Sequence, residues 1–90
     1  MAIVTIRYWA AAKEAAGAAE ETVTADTLAG ALEFIRGARG AQSAQPARLT
    51  AVLARSSFLI DGQPVGTRAA DAVVLTDGAV IEVLPPFAGG

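Results

Sequence analysis

The segment PPFAGG, residues 85–90, combines residue types that can do chemistry at a chain end. Pro85 and Pro86 lack a backbone N–H and hold the chain near polyproline geometry, so the preceding strand is expected to leave its sheet there and project outward. Glycine has no β-carbon, so the carbonyl of Gly90 is open to a nucleophile or an activating group. The pattern favours an extended tail with a slim reactive tip, and the plain alternative is a frayed terminus.

The usual catalytic side chains are missing from the rest of the chain. The 90 residues include no cysteine and no histidine, which excludes disulfides, zinc–thiolate sites, cysteine nucleophiles and the commonest general base. Asp61, Asp71 and Asp77 are the candidate magnesium ligands, but two of them precede glycine in turn sequences. We therefore expect no metal, no tightly bound cofactor and no active site of the chain's own.

Charge and hydropathy narrow the class of partner. Seven basic and nine acidic residues give a net charge of −2, so neither nucleic acid nor a membrane surface is an expected partner. The apolar N-terminal run is short and contains Arg7, unlike a signal peptide, and no run reaches the roughly 18 apolar residues of a membrane span. With 53% hydrophobic residues, the chain is expected to be one small cytoplasmic domain.

Two segments alternate in the way that half-buried strands do. IVTIRYW lies near the N-terminus and AVIEVLPP leads into the tail. One face of these strands is predicted to be core, and we interpret the opposite face as a partner surface. The predicted core residues are Val4, Ile6, Tyr8, Ile81 and Val83, and the opposite face carries Thr5, Arg7, Trp9, Val80, Glu82 and Leu84. A one-residue slip in register, or cover by the loop after Gly37, would remove that surface.

The segments between these strands predict helices and a second strand. AAAKEAAG is typical of a short helix from about Ala10 to Ala16 that ends at Gly17. EETVTA predicts a strand antiparallel to the first. The main helix is expected from about Thr27 to Arg39, capped by Asp26 or Thr27. Its apolar stripe is Leu28, Ala31, Leu32, Ile35 and Ala38.

The second half of the chain contains shorter elements. GARGAQSAQPA, residues 37–47, is expected to be flexible, and Pro46 can open a second helix that carries Leu49, Val52 and Leu53. FLI predicts a short strand before the Asp61-Gly62 turn, and VVL another before the Asp77-Gly78 turn. The whole order favours an α+β fold, in which one main helix packs across a mixed sheet and the first and last strands are central neighbours.

Both ends of the sequence resemble a known family. LTDGAVIEVLPPFAGG resembles the C-terminal signature of the molybdopterin synthase small subunits, which are ubiquitin-like sulfur carriers of the MoaD/ThiS type. IRYWAAAKEAAG is similar to the opening strand and short helix of that family. The resemblance implies a β-grasp domain over residues 1–84 and a protruding, reactive tail over residues 85–90.

The resemblance also implies chemistry performed on Gly90. A ubiquitin-activating-type enzyme would consume ATP to adenylate its carboxylate, and a sulfur donor protein would convert the adenylate to a thiocarboxylate. Inserted into the large subunit, the tail would pass sulfur to cyclic pyranopterin monophosphate during molybdenum cofactor synthesis, as the sulfur-donating part of a heterotetrameric sulfurtransferase. The resemblance assigns the threading of the tail to Pro85, Pro86, Phe87, Ala88 and Gly89. The predicted strand register, in turn, gives the partner interface as Arg7, Trp9, Val80 and Leu84.

Several alternatives stay open at this point. Ala79 and Phe87 depart from the family pattern and bear on which partner is served, so delivery of sulfur to cysteine, thiamine or RNA thiolation is a second reading. A ubiquitin-like modifier joined to lysines through Gly90, or an interaction module with an idle tail, are readings from other functional classes. Trp9 can be an interface anchor or a core residue, and Lys13 and Glu14 can contact a partner or simply be solvated.

Overall fold

The computed structural model describes residues 2–86. Within them a five-stranded mixed sheet organises the molecule. The strands are β1 (Ile3–Tyr8), β2 (Glu20–Thr24), β3 (Ser57–Ile60), β4 (Gln63–Pro64) and β5 (Val80–Leu84). Their order is β2-β1-β5-β3-β4. Strands β1 and β5 run parallel, and the other pairs are antiparallel. The predicted α+β class and the central pairing of the first and last long strands are confirmed.

Alternation along β1 and β5 places one side of the sheet in the core. Val4, Ile6, Ile81 and Val83 are 0–1% exposed, and Tyr8 lies beside them. Full burial of a branched side chain contributes about 1.5–3 kcal/mol, so this row fixes the register that the sequence predicted. A slip of one residue would turn the same side chains toward water.

Within residues 2–86, four α-helices cover the core side of the sheet. They are α1 (Ala10–Ala16), α2 (Leu28–Phe34), α3 (Gly40–Gln42) and α4 (Pro46–Arg55). Helix α1 ends as predicted, because Gly17 adopts the left-handed conformation with φ 78°. Helix α4 begins at Pro46 and buries Leu49 and Leu53, also as predicted. Thr27 caps α2, since its Oγ1 accepts a 3.2 Å hydrogen bond from the Gly30 N–H.

The main helix extends beyond its predicted end. A π-helical segment, Ile35–Arg39, follows α2 and runs directly into α3. The expected flexible stretch over residues 37–47 is therefore wrong, and residues 43–45 alone link α3 to α4. The wider π turn also shifts the apolar stripe, because it adds a residue to the turn. As a result Ala38 is exposed, contrary to expectation, and Gly40 is buried instead.

The predicted VVL strand is also wrong. A 3₁₀ turn, Ala70–Ala72, precedes this segment, and Val74 makes only an isolated bridge to Thr27. The backbone groups on either side of Val74 pair with the start of α2. The Leu75 N–H donates to the Asp26 carbonyl, and the Leu28 N–H donates to the Val73 carbonyl. Val73 and Leu75 are thus buried from a loop rather than from a sheet edge, and Val74 between them is exposed.

Strand β4, absent from the predictions, follows a tight hairpin turn. Asp61 and Gly62 have φ values of 50° and 82°, the pair of positive values that a type I′ turn requires. The sequence did predict this turn. Pro64 is tolerated in β4 because the strand lies at the edge of the sheet.

A hydrogen-bonded network joins the π-helical segment to the opposite sheet edge. The Tyr8 hydroxyl donates to Glu21 Oε2 at 2.6 Å. Arg39 grips the same carboxylate with two N–H groups, at 2.9 and 2.8 Å. Burial and the hydrogen bond to Glu21 raise the pKa of Tyr8 well above its usual range, and the Glu21 hydrogen bond raises the pKa of Arg39. The network holds Tyr8 protonated and ties β1, β2 and the main helix together.

This network predicts a loss of stability in alkaline solution. Because the pKa of Tyr8 is raised on folding, its contribution is fully present below the ordinary tyrosine pKa of about 10 and is lost as pH rises from there toward the folded-state value. Tyr8 is the chain's single tyrosine, so phenolate absorbance reports it alone. We expect that absorbance to rise only as circular dichroism shows unfolding, and Tyr8→Phe to remove this alkaline contribution. A phenol that titrates near pH 10 in an intact fold would contradict the assignment.

Candidate functional site

The tail leaves from the centre of the sheet. Strand β5 pairs with β1 through Val83 and with β3 through Leu84. Pro85 and Pro86 come next, and neither can donate to a neighbouring strand. Pro85 is half-buried and Pro86 is exposed, so the chain emerges into solvent within two residues of the last pair. The rigid central strands thus fix the point from which residues 87–90 begin.

The side of the sheet that faces away from the core borders this exit. We call it the tail-exit face, and it consists of Thr5, Arg7, Trp9, Leu59, Val80, Glu82 and Leu84. Each of these side chains is exposed or half-buried, whereas the residues between them in β1 and β5 are buried. The predicted interface residues Arg7, Trp9, Val80 and Leu84 therefore share one surface. The polypeptide after Gly37 continues as helix rather than covering it.

Trp9 lies over the end of β5. Its side chain is 46% exposed, so the alternative of a core tryptophan is wrong. The indole Nε1–H donates to Glu82 Oε1 at 3.2 Å, and the backbone N–H donates to the Val83 carbonyl at 3.3 Å. An aromatic ring is thereby held on the surface next to the strand that carries the tail, as an interface anchor requires.

A backbone turn at Ala10 sets the position of Trp9. Ala10 has φ 47°, a left-handed value that costs a residue with a β-carbon about 1–2 kcal/mol. The turn redirects the chain from β1 into α1, whose first bonds end on the Trp9 carbonyl: the Ala12 N–H donates to it at 2.9 Å and the Lys13 N–H at 3.3 Å. Strain of this kind persists where the surrounding structure over-determines the conformation.

An open groove of about 980 Å³ adjoins the indole on the α1 side. Its lining includes Trp9, Lys13, Gly17 and Arg48. Glu14, also on the rim, lies 3.7 Å from the Arg48 guanidinium, an exposed ion pair that contributes little stability. Lys13 extends into this groove from an exposed position on the helix.

Two of the three aspartates named as candidate metal ligands, Asp61 and Asp77, accept hydrogen bonds from the start of a strand. Asp61 Oδ1 accepts a 2.9 Å hydrogen bond from the Val80 N–H, and Asp77 Oδ1 accepts one of 2.7 Å from the Ile3 N–H. Within residues 2–86, no three acidic side chains converge on a position that could hold a metal ion. Nor does that part of the chain contain a helix long and apolar enough to cross a bilayer.

Sequence reasoning did not single out Glu82 or Ala10. The predicted face already placed Glu82 and Trp9 on one side, so a partner for the indole was open to inference. The left-handed Ala10 has no sequence signal, since glycine is the residue expected there. The remaining predicted site residues, Phe87, Ala88, Gly89 and Gly90, lie outside the described residues.

Comparison with known proteins places this geometry in a family. The model of the ThiS family matches residues 6–90. The chain belongs to the ThiS family. The chain thus has the ubiquitin-like β-grasp fold of the sulfur-carrier family that the sequence resembles, and the tail-exit face and Trp9 belong to this domain. No curated protein sequence matches it.

Solved structures establish the same fold. Small archaeal modifier protein 1 from Methanosarcina acetivorans has a TM-score of 0.76 at 22% identity, over 100% of this chain and 98% of its own. A protein named as molybdopterin converting factor subunit 1 from Pyrococcus furiosus has 0.72 at 20%, over 96% and 99%. A chain in the complex of subunits 1 and 2 of molybdopterin-converting factor from Helicobacter pylori has 0.67 at 19%, over 98% and 99%.

The strained turn of this ThiS-family chain predicts opposite effects for two neighbouring glycine substitutions. Ala10→Gly removes the β-carbon that disfavours the left-handed conformation, so stability should be kept or raised by about 1 kcal/mol. Ala11→Gly, one residue further into the same helix, should lower stability by about 1 kcal/mol. Denaturant midpoints measure both. Equal destabilisation by the two changes would contradict the strain at Ala10.

Proposed function

We propose that this chain is the small, sulfur-carrying subunit of a molybdopterin synthase. In this proposal the Gly90 carboxylate is adenylated, converted to a thiocarboxylate and presented to cyclic pyranopterin monophosphate in a large catalytic subunit. The observation that carries the proposal is the emergence of the tail from central strand β5 at Pro85, directly beside an uncovered, partly apolar face. A ThiS-family match that extends through residue 90 supports it.

The composition of the chain fits a substrate-like role for Gly90. A carboxylate is a poor acyl donor until one oxygen is converted into a leaving group. With no cysteine and no histidine, the chain has no thiol or imidazole to assist this step, so the activating enzyme supplies the active site and binds the ATP. A separate donor protein supplies the sulfur. This chain's own contribution is to hold a narrow tail at a fixed exit.

The tail-exit face supplies the docking surface in this account. Val80 and Leu84 form an apolar strip along β5, and Arg7 opposes Glu82 across the β1–β5 pair. Trp9 stands at the end of the strip nearest the tail. A partner that binds this strip therefore lies beside Pro85, where the tail begins. The structure of subunits 1 and 2 of the Helicobacter pylori factor, in which the two proteins form a complex, supports a large-subunit partner.

A second candidate is a protein modifier. The likeness to small archaeal modifier protein 1 favours it, because the same tail and the same activation chemistry can end in an amide with a lysine instead of a thiocarboxylate. Both functions begin with the adenylated Gly90. They differ in the nucleophile that attacks its acyl carbon, which is a sulfur species for the carrier and a lysine amine for the modifier. Sulfur carriage for another pathway uses the same thiocarboxylate.

Sulfur carriage predicts a single alkylatable group. After incubation with ATP, an activating enzyme and a sulfur donor, treatment with a thiol alkylator should add one label, mapped by mass spectrometry to Gly90, because the chain has no cysteine. Deleting Gly90 should abolish labelling and leave the fold intact, since the last residue of a chain generally adds almost nothing to stability. An unlabelled chain beside a labelled control carrier would contradict sulfur carriage.

Docking through the tail-exit face predicts a specific loss of affinity. Trp9→Ala should weaken binding to the large subunit by about 2 kcal/mol, or roughly 30-fold in Kd, as truncation of an aromatic anchor does. Val74→Ala is the matched control, because Val74 is a 74% exposed apolar residue outside the sheet. Calorimetric titration measures both Kd values. Equal affinities for the Trp9 and Val74 variants would place the interface elsewhere.

A further inference from the structure

The basic residues of the chain are nearly all of one type. Of seven, six are arginine, and Lys13 is the single lysine. The arginine guanidinium stays protonated in proteins and does not attack acyl groups, whereas a lysine amine becomes a nucleophile when it loses its proton. An activated C-terminal acyl group on this protein therefore meets one side-chain amine of its own sequence.

Lys13 is accessible to such a group. It is exposed on α1, whose opposite side is buried through Ala12, Ala15 and Ala16. In the described part of the chain, no carboxylate lies within ion-pairing distance of its side chain. Its side chain contributes to the open groove of about 980 Å³ beside Trp9. The amine is thus accessible from solvent on the open surface beside Trp9.

The groove lies at the end of the molecule where the tail emerges. The Lys13 N–H donates to the Trp9 carbonyl at 3.3 Å, and the Trp9 N–H donates to the Val83 carbonyl at 3.3 Å. Two backbone hydrogen bonds therefore connect Lys13 to the strand that carries the tail. A partner that docks on Trp9 to handle one copy's tail also lies against the Lys13 groove.

We propose that Lys13 is a self-modification site, acylated by the activated Gly90 of a second copy of this chain. The inference rests on the proposed activation of Gly90. The donor is assigned to a second copy because Pro85 and Pro86 bias the first residues of a chain's own tail toward extended geometry. The four residues that follow Pro86 span at most about 14 Å, which leaves a chain's own tail little length with which to turn toward its own α1.

The reaction balances with a nucleoside triphosphate as the co-reactant. A Gly90 carboxylate oxygen attacks the α-phosphorus, an acyl-adenylate forms, and pyrophosphate leaves. The deprotonated Lys13 Nζ then attacks the acyl carbon. The new C–N bond replaces the C–O bond to the adenylate, adenosine monophosphate leaves with the electron pair, and the nitrogen gives up a proton to solvent. The product is an isopeptide-linked dimer of two chains less one water.

The test compares the wild-type chain with Lys13→Arg, which keeps the charge but removes the nucleophile. Each is incubated with ATP and the activating enzyme without a sulfur donor, and a parallel sample receives hydroxylamine, which traps the adenylate as a Gly90 hydroxamate. Trypsin cleaves after Arg68, the last basic residue, so a conjugate is recognised as residues 69–90 branched from the Lys13 peptide. We expect the dimer from the wild type, none from the variant, and equal hydroxamate from both.

The outcomes separate the inference from the proposed function. A hydroxamate without a Lys13 branch overturns the inference and leaves the activation of Gly90 intact. A dimer that persists in the Lys13→Arg variant, joined through the α-amino group of Met1, has the same meaning. A monomer less one water with an internal Lys13 branch overturns the assignment of the donor. If no hydroxamate forms, the proposed activation of Gly90 is wrong. Lys13 is then tested with a chain that carries a chemically installed Gly90 thioester. Aminolysis of the thioester by Lys13 supports the modification site, and its absence overturns it.

Discussion

The parallel pairing of β1 with β5 is the constraint on which the rest of the molecule depends. It brings residues from opposite ends of the sequence into register, from Thr5 beside Val80 to Tyr8 beside Val83. One side of this pair supplies the most deeply buried side chains of the core, and the other side supplies the tail-exit face. Because both strands end at the same edge, the turn through Trp9 and the start of the tail lie together. The exit point is therefore set by the same strand pairing that builds the core.

Much of this arrangement was open to inference from the sequence. Strict alternation in IVTIRYW and AVIEVLPP predicted both faces of the central pair, and the positions of Gly17, Pro46 and Asp61-Gly62 predicted how neighbouring elements end or begin. These signals are local, since each depends on period, missing donors or positive φ values. The tail pattern also pointed to the ThiS family, and the family match confirmed it.

The errors arose where tertiary contacts override local preference. The main helix continues into the glycine-containing stretch from residue 37 that the sequence predicted to be flexible. In that stretch the Glu21 carboxylate of β2 holds Arg39 by two hydrogen bonds. VVL has strong strand propensity, but its backbone groups pair with the start of α2 rather than with a sheet edge. The left-handed Ala10 is another such case, because the turn into α1 is imposed by the contacts of Trp9 with β5 and not by the residue type.

Sulfur transfer in a single turnover shows whether this chain serves a molybdopterin synthase. Thiocarboxylated chain that carries radiolabelled sulfur would be mixed with the large subunit and cyclic pyranopterin monophosphate, in amounts that allow one turnover. If the chain is that carrier, the label leaves it, appears in the dithiolene of molybdopterin, and leaves a Gly90 carboxylate behind. Label that stays on the chain, while a control small subunit transfers its own in the same mixture, would rule this function out.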